Sequence, residues 1–404
     1  MKRLEVEPRA NWEQHLLNDL DFTYHTLTGE EDEEPVPYWN EHAVYEFSEK
    51  QILEIEKAAN FCWQAFQEVV GDLIEKDQLH RLDLPPRAHA LIKNSWNNDE
   101  KSIIGRFDFS YDGINPPKLL EFNGDTPTSL LEASIIQWDS KVQRYGESKE
   151  KADQFNLIHE TLEASWKYMH DECNVKTCHF TSDHNREDIS NAVYSQKVAE
   201  SQGIKCHYLP TQEIGFDPDL NELYGLDKEK ISTLYKLWPY EYMMEEAPDI
   251  LEAVQHNTTI IEPIWKFAMS TKAALPLLHE YNPDSPYILK CYRTEQEASK
   301  NLGDTFVKKP LISREGANVT LVENGKVICE EGGDFGKEGF IYQEMAKLPD
   351  FKDSRDNLDY NPVIGVWVIG GEICGMGIRE SNGLITGNTS YFVPHIFRSN
   401  RPGG

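Results

Sequence analysis

The sequence has no hydrophobic run long enough to cross a membrane as a helix. Its longest apolar stretch, at residues 363–369, is well short of the about 18 residues that a membrane-spanning helix needs. The first residues, Met1-Lys2-Arg3-Leu4-Glu5, also lack the apolar core of a secretory signal. We therefore expect a soluble protein of the cytoplasm, with no membrane partner.

The chain is also poor in positive charge. Its 404 residues include 40 Lys and Arg against 69 Asp and Glu, which gives a formal net charge of −29 and a pI of about 4.8. A surface this negative repels nucleic acid and anionic lipid at long range, so we expect neither as a main partner. Any anionic ligand must then be met by a local cluster of cationic side chains.

Two further absences narrow the class of protein. The seven cysteines show no framework spacing, and no second pair of ligands follows Cys173, Cys178 and His179, so free thiols in a reducing compartment are indicated. The P-loop pattern GxxxxGK[ST] is missing, and no GxGxxG opens a strand–helix–strand unit. An ordinary P-loop NTPase or Rossmann dehydrogenase is therefore disfavoured.

What is present suits a large globular fold. A hydrophobic fraction of 39% in a chain of this length predicts about two or three domains with ample core. Ser48 and Gln51 have the spacing of a capping box at the start of a long amphipathic helix. We predict three portions: residues 1–150 with this helix, residues 151–265, and residues 266–404.

The local patterns predict a mixed α/β architecture. Residues 156–209 alternate helix, strand, helix and strand, and extended runs at 231–238 and 258–265 would enlarge a parallel sheet. After residue 286 the pattern changes to hairpins, with turn signals at Asn324-Gly325 and Gly370-Gly371. The domain boundary is expected near residues 265–272.

The most informative stretch is residues 105–134, which reads as a hairpin with one apolar and one polar face. Strand alternation sets the apolar Phe107, Phe109, Leu120 and Phe122 against the polar Arg106, Asp108, Glu121 and Asn123. Two carboxylates and an amide oxygen suit a hard cation such as Mg²⁺, and an adjacent Arg can offset charge on a phosphoryl group. On the pattern alone, an exposed strand face with ordinary ion pairs is favoured over a metal site.

A second cluster of interest is residues 306–319. A strand ends in Lys308 and Lys309, and a short loop then carries Arg314 and Gly316. Such a loop can lay backbone N–H groups and an Arg over phosphate, while a strand Lys reaches phosphate as a point charge. An ordinary hairpin loop with solvated charges is the alternative.

Several motifs together resemble a known family. In order, they are RANW, YWNE, GRFDFSYDG, KLLEFNGDTPTSLLEAS, QWDS, VKKPLISREGANV, IYQEM and GIRESNGLITGNTSYFVPH. This set is similar to the glutathionylspermidine synthetase-like ATP-grasp carboxylate–amine ligases, and it spans nearly the whole chain without the amidase domain of the bifunctional members. The resemblance implies a Rossmann-like pre-ATP-grasp portion and an ATP-grasp portion that clamps nucleotide between sheets.

The resemblance also implies roles for individual residues. It implies Mg²⁺ ligands at Asp108, Glu121 and Asn123, nucleotide-binding residues at Lys272, Lys309, Gln343 and Glu344, and catalytic arginines at Arg106, Arg314 and Arg379. Arg106 would lie at the phosphoryl or acyl phosphate group, and Arg379 near the acyl substrate. Arg314 would lie on a loop, residues 313–318, that orders over phosphate, so it is expected to be solvated without nucleotide. The alternatives are the start of an exposed helix for Lys272, solvated strand positions for Gln343 and Glu344, and, for Arg379, an ion pair with neighbours of Glu380.

Substrate contacts are implied at Thr126, Thr128, Ser129, Trp238 and Glu241, the last of which can receive a cationic amine. For the segment 238–241, aromatic residues of the core are an equal alternative. The run GDTPTSLLE departs from the bifunctional enzymes, which puts the peptide substrate in doubt. The implied function is an ATP- and Mg²⁺-dependent ligase that joins a small-molecule or peptide carboxylate to an amine through an acyl phosphate. The alternatives are a phosphotransferase that uses the same ATP clamp, and a nucleotide-binding scaffold without turnover.

Overall fold

The fold is described from a computed structural model, which covers residues 1–27, 35–148, 152–226, 228–248, 250–251, 257–387 and 390–398. Helices are interspersed with strands as far as Leu302, and the elements described after that residue are all strands. The α-helices are Trp12–Asn18, Glu49–Glu75, Pro86–Asn97, Gln137–Tyr145, Ile158–Asp171, Arg186–Ser201, Tyr240–Glu246, Phe267–Ser270, Ala274–Tyr281 and Glu295–Leu302. Short 3₁₀ turns lie at Leu79–Leu82, Thr211–Glu213 and Ile264–Lys266, and a π-helical turn at Glu132–Ile136. No helix within the described ranges is long and apolar enough to span a bilayer.

The longest helix, Glu49–Glu75, begins at the predicted capping box. The Ser48 hydroxyl accepts from the Gln51 backbone N–H at 3.3 Å, and the Gln51 side chain accepts from the Ser48 N–H at 2.9 Å. The apolar face of the helix is buried, and the Phe66 ring lies 6.0 Å from the Phe107 ring. The helix therefore covers the back of the sheet that carries residues 104–110.

That sheet, called the central sheet below, holds the predicted metal hairpin. Its antiparallel strands run in the order Tyr391–Val393, Glu372–Ser381, Asp359–Ile369, Ile104–Ser110 and Lys118–Asn123, with Phe351–Lys352 paired to Asp359–Ile369. The Gly370-Gly371 hairpin is confirmed. Of its two strands, Asp359–Ile369 pairs with Ile104–Ser110 of the early hairpin, and Glu372–Ser381 lies on the other side of Asp359–Ile369, so the sheet takes strands from the first and third predicted portions.

The register of the hairpin corrects one prediction. Arg106, Asp108, Glu121 and Asn123 do share a face, but a bulge between Asp108 and Phe109 shifts the pairing so that Phe109 lies opposite Leu119. Leu119 therefore takes the buried position, while Leu120 lies at the cavity wall described below. The placement of Leu120 on the apolar face was wrong because strand alternation assumes an unbroken ladder.

A five-stranded antiparallel sheet follows in the order Cys291–Tyr292, Phe340–Gln343, Phe306–Pro310, Thr320–Glu323 and Lys326–Glu330. The last two strands are joined at Asn324-Gly325, where both residues have positive φ angles of 50° and 73°. This conformation is the one that the Asn-Gly pair supplies at low cost, and the predicted hairpin is confirmed.

The parallel sheet lies between these elements in sequence. Its strands run in the order Thr259–Ile261, Thr233–Leu237, Thr177–Ser182 and Lys205–Tyr208, as the strand–helix–strand pattern predicts. The run at 258–265 is extended only as far as Ile261, because a 3₁₀ turn follows Pro263.

Three small sheets complete the fold. Lys2–Glu5 and His395–Arg398 flank Ala43–Ser48, Gly215–Asp217 pairs with Glu222–Tyr224, and Thr26–Leu27 pairs with Val36–Pro37. The predicted division into three portions stays a prediction.

Candidate active site

One cavity of about 1340 Å³ opens between the central, five-stranded and parallel sheets. Nearly all of the side chains that the sequence singled out line it: Arg106, Asp108, Glu121, Asn123, Thr126, Thr128, Ser129, Trp238, Lys272, Lys309, Arg314, Gln343, Glu344 and Arg379. Glu241 lies in a small adjoining pocket that shares Glu121, Lys272 and Arg314. The structure thus brings the predicted residues together, and their chemical roles stay predictions.

Arg106 and Asp108 form a close pair on the central sheet. Arg106 donates from Nε and Nη2 to the two Asp108 carboxylate oxygens at 2.8 and 3.0 Å, and Asn123 donates to Asp108 Oδ2 at 3.0 Å. Burial opposes the charge on the guanidinium, but Asp108 outweighs it and the pKa of Arg106 is raised. Gly365, which lies opposite Asp108 on the neighbouring strand, leaves room for the Arg106 side chain. A Cβ atom at Gly365 would come within 2.9 Å of Arg106 Cδ.

Glu121 faces two lysines. Lys272 Nζ lies 3.1 Å from Glu121 Oε2, and Lys309 Nζ donates to the Leu120 carbonyl at 3.1 Å. Burial lowers the pKa of Lys309 to about 8, whereas the two ammonium groups overcome burial and lower the pKa of Glu121. Two cationic side chains thus lie beside one carboxylate. A protein of net charge −29 can bind phosphate only where cationic side chains cluster, and this is such a place.

Arg314 is held in an ion pair and is not a free side chain in solvent, contrary to expectation, although part of it stays exposed. It donates from Nε and Nη2 to Glu241 Oε1 at 3.1 and 2.7 Å, and from Nη1 to the Thr126 hydroxyl at 2.9 Å. Sequence patterns could not show this pair, because the two residues are far apart in the chain and meet only through the fold.

Arg379 and the two residues of the IYQEM motif are less free to contact ligand. Arg379 donates from Nη2 to the Gly387 carbonyl at 2.8 Å, and its buried Nε has no hydrogen-bond partner among the described residues. The Gln343 side chain is buried and donates to the Leu119 carbonyl at 3.4 Å. Glu344 accepts from the Lys290 N–H at 3.3 Å.

Sequence reasoning missed a buried ion pair behind the cavity. Lys236 donates to Asp125, which also accepts from the Tyr240 N–H at 2.7 Å. This pair fixes the segment of Thr126 against the helix that carries Glu241. A single Lys inside the apolar run 233–237, and an Asp within the NGDTPT motif, were the available signals.

The donor set of the hairpin fits Mg²⁺ when phosphate supplies the remaining ligands. Within the described part of the chain no three His, Cys, Asp or Glu side chains form a metal site by themselves. Asp108 and Glu121 are paired across neighbouring strands, and Asn123 adds an amide beside Asp108. Mg²⁺ is typically held by one or two carboxylates, water and substrate phosphates, so two carboxylates are sufficient.

Comparison with known proteins identifies the family. The family model described as glutathionylspermidine synthase, pre-ATP-grasp, matches residues 3–398. The chain therefore belongs to the glutathionylspermidine synthase family, and the prediction of a ligase that joins an acid to an amine is confirmed at the level of the family.

Relatives agree with this assignment. A Haemophilus influenzae protein, provisionally named an acid–amine ligase, is 36% identical over 410 residues, which cover 98% of this chain and all of that protein. Trypanothione synthetase of Crithidia fasciculata is 29% identical over 81% of this chain and 52% of its own length. The bifunctional glutathionylspermidine synthetase/amidase of Escherichia coli is 23% identical over 87% of this chain and 59% of its length. The chain thus spans little more than half of the last two.

A solved structure supports the predicted fold class. A glutathione synthetase-like effector of Globodera pallida, solved in the apo form, aligns with a TM-score of 0.53 and 13% identity over 97% of this chain and 98% of its own. The predicted mixed α/β fold class is therefore confirmed.

Proposed function

We propose that the protein uses ATP and Mg²⁺ to convert a carboxylate into an acyl phosphate, which an amine then attacks to form an amide. The main support is the cavity itself, whose lining includes all five cationic side chains that the sequence singled out, in a chain of net charge −29: Arg106, Lys272, Lys309, Arg314 and Arg379. Such a cluster offsets the charge that phosphoryl transfer gathers at one place.

The chain's own residues would divide the task. Lys272 and Lys309 would bind the nucleotide phosphates, and Arg106 would orient the transferring phosphoryl group while Asp108 holds its guanidinium in place. Asp108, Glu121 and Asn123 would hold Mg²⁺, which when bound neutralises phosphate charge and fixes the phosphate oxygens. Arg379 would orient the acid.

The opposite chemistry prevails where helix Arg186–Ser201 begins. Asp183, Glu187 and Asp188 line this wall together with Arg186, so carboxylates outnumber guanidinium groups there, and burial raises the pKa of Asp188 to about 6. Carboxylates that are costly to bury alone favour a cationic ligand. An acid at the cationic wall and an amine at the acidic wall would place the two reacting groups side by side, which is the entropic part of the catalysis.

The substrates that we propose are a small-molecule or peptide carboxylate and an amine. The names of the relatives make glutathione and spermidine the first pair to test. The cytoplasmic location stays a prediction.

The experiment is a screen with ATP and Mg²⁺. Sets of acids and of amines are supplied in pairs, ADP release is followed, and products are analysed by mass spectrometry. A new amide with stoichiometric ADP supports the proposal. Phosphorylated product without an amine requirement indicates a phosphotransferase, and ATP binding without phosphate release from any pair indicates a scaffold.

A further inference from the structure

An amine must lose a proton to attack an acyl phosphate, and one chain of hydrogen bonds leads away from the cavity. It begins at Ser129, which lines the cavity beside Thr128, whose carbonyl accepts from Arg106 Nη1 at 2.7 Å. Ser129 therefore lies next to the group expected at the acyl phosphate.

The chain continues inward through a tyrosine to a carboxyl group. Tyr38 Oη lies 3.2 Å from Ser129 Oγ and donates to Glu132 Oε1 at 2.7 Å. A tyrosine has one O–H, so when Glu132 is ionised the Ser129 hydroxyl must donate to Tyr38. All three residues are buried, and the direction of donation runs from the cavity to Glu132.

Two backbone features of the segment 129–136 are of a kind that is common at functional sites. Ser129 has a φ of 70°, a left-handed conformation that costs a non-glycine residue free energy and occurs often at functional sites. Glu132 opens the π-helical turn Glu132–Ile136, another feature common at such sites.

Glu132 is an unusual carboxyl group for a purely structural role. It is fully buried, and its Oε2 makes no hydrogen bond of ordinary geometry among the described residues, although the Tyr24 hydroxyl lies close enough to stabilise the ionised form. Burial, with Glu187 nearby, raises the pKa of Glu132 to about 8. A group whose pKa lies near the working pH takes up and returns a proton readily.

We propose that Ser129, Tyr38 and Glu132 form a proton relay that accepts the proton of the attacking amine. The ammonium group of the amine passes one proton to Ser129 Oγ, the Ser129 proton passes to Tyr38 Oη, and the Tyr38 proton passes to the Glu132 carboxylate, which frees the nitrogen lone pair to bond to the acyl carbon. The C–O bond to phosphate breaks, and phosphate leaves with the electron pair and takes up the second proton that the nitrogen releases. Glu132 ends protonated and returns its proton to solvent before the next turnover.

This inference rests on the proposed function, and its test separates the two. The acid that supports turnover in the screen above is assayed with hydroxylamine and with an alkyl amine that the wild type accepts. Hydroxylamine is largely unprotonated at neutral pH and so needs less help to lose a proton. Alkyl amines arrive as ammonium ions and depend on the relay.

Glu132→Gln and Tyr38→Phe keep the size of the side chains but remove the carboxylate that accepts the proton or the hydroxyl that passes it on. In both, kcat with the alkyl amine should fall about 100-fold, within the usual range for acid–base catalysis, while hydroxamate formation from hydroxylamine keeps most of its rate. Two independent variants guard against a single failure to fold.

Tyr45→Phe is the matched control. It removes a Tyr hydroxyl that donates to a buried carboxylate, Glu380, at the same 2.7 Å but away from the cavity lining. It should lose similar stability and retain turnover with both amines.

Equal loss with both amines, or no loss with either, in the relay variants would overturn the relay and leave the ligase function intact. If the wild type forms neither hydroxamate nor amide from any acid, the proposed function fails and the relay with it.

Discussion

Glu241→Gln should tighten the binding of ATP. In the structure Glu241 holds Arg314, the residue that the proposed mechanism needs over the phosphate groups. ATP must break this ion pair before Arg314 can contact its phosphate groups. The pair therefore lowers the affinity for ATP, and its removal should raise it.

The size of the effect follows from the exposure of the pair. The Arg314 and Glu241 side chains are 34% and 15% exposed, which places the pair near the upper end of the 0.2–1 kcal/mol measured for exposed pairs, at about 1 kcal/mol. Since about 1.4 kcal/mol is a factor of ten, the affinity should rise roughly fivefold. Thr126 still holds Arg314 from its other nitrogen and sets an upper limit on the gain.

The assay is calorimetric titration with a non-hydrolysable ATP analogue and Mg²⁺. Glu246→Gln is the matched control, because Glu246 lies on the same helix and lines the cavity next to the pocket of Glu241. It changes the net charge equally, so it measures the general electrostatic effect of losing one carboxylate. An affinity for Glu241→Gln that is unchanged, weaker, or no higher than that of Glu246→Gln would refute the reasoning.

Other outcomes follow from single contacts. Asp108→Asn and Glu121→Gln should lower turnover at limiting Mg²⁺ by at least about tenfold, as even outer-shell partners of metals do, and wild-type turnover in folded variants would exclude these ligands. Arg314→Ala should lower turnover about 100-fold but cost at most about 1 kcal/mol of stability, and ATP should protect residues 313–318 from proteolysis; unchanged cleavage and kinetics would contradict this. His395 accepts from the Phe155 N–H, and burial lowers its pKa from 6.5 to about 3. The folded state therefore binds fewer protons than the unfolded state between pH 6.5 and about 3, and the free energy of unfolding should fall by about 1.4 kcal/mol for each pH unit of acidification in this window. Urea unfolding of His395→Gln should show a smaller dependence on pH.

Local chemistry accounts for what the sequence predicted of the fold. The Ser48 capping box and the Asn324-Gly325 and Gly370-Gly371 turns lie within a few residues of the groups that they satisfy, so each could be located from spacing alone. The parallel strands were also recognisable, because helices of ordinary length separate them. The bulge beside Asp108 left no such signal.

The same distinction between local patterns and long-range packing holds for the candidate active site. The ordered motifs brought out the residues that line the cavity, but not which of them touch one another. The Arg314 pair with Glu241, and the contact of Tyr38 with Glu132, join residues 73 and 94 positions apart. Contacts of this kind depend on how whole helices and strands pack together, and a single sequence considered by itself does not show that packing.

The strand Asp359–Ile369 lies between Ile104–Ser110 and Glu372–Ser381 in the central sheet, and His395–Arg398 pairs with Ala43–Ser48. On the ribosome, the strand that carries Arg106 and Asp108 therefore emerges some 250 residues before its neighbour is made. Until then one of its edges is unpaired, and the cavity has no finished wall. Pairings of such long sequence separation are slow to form, so the ability to bind nucleotide should appear only near the end of synthesis and refolding.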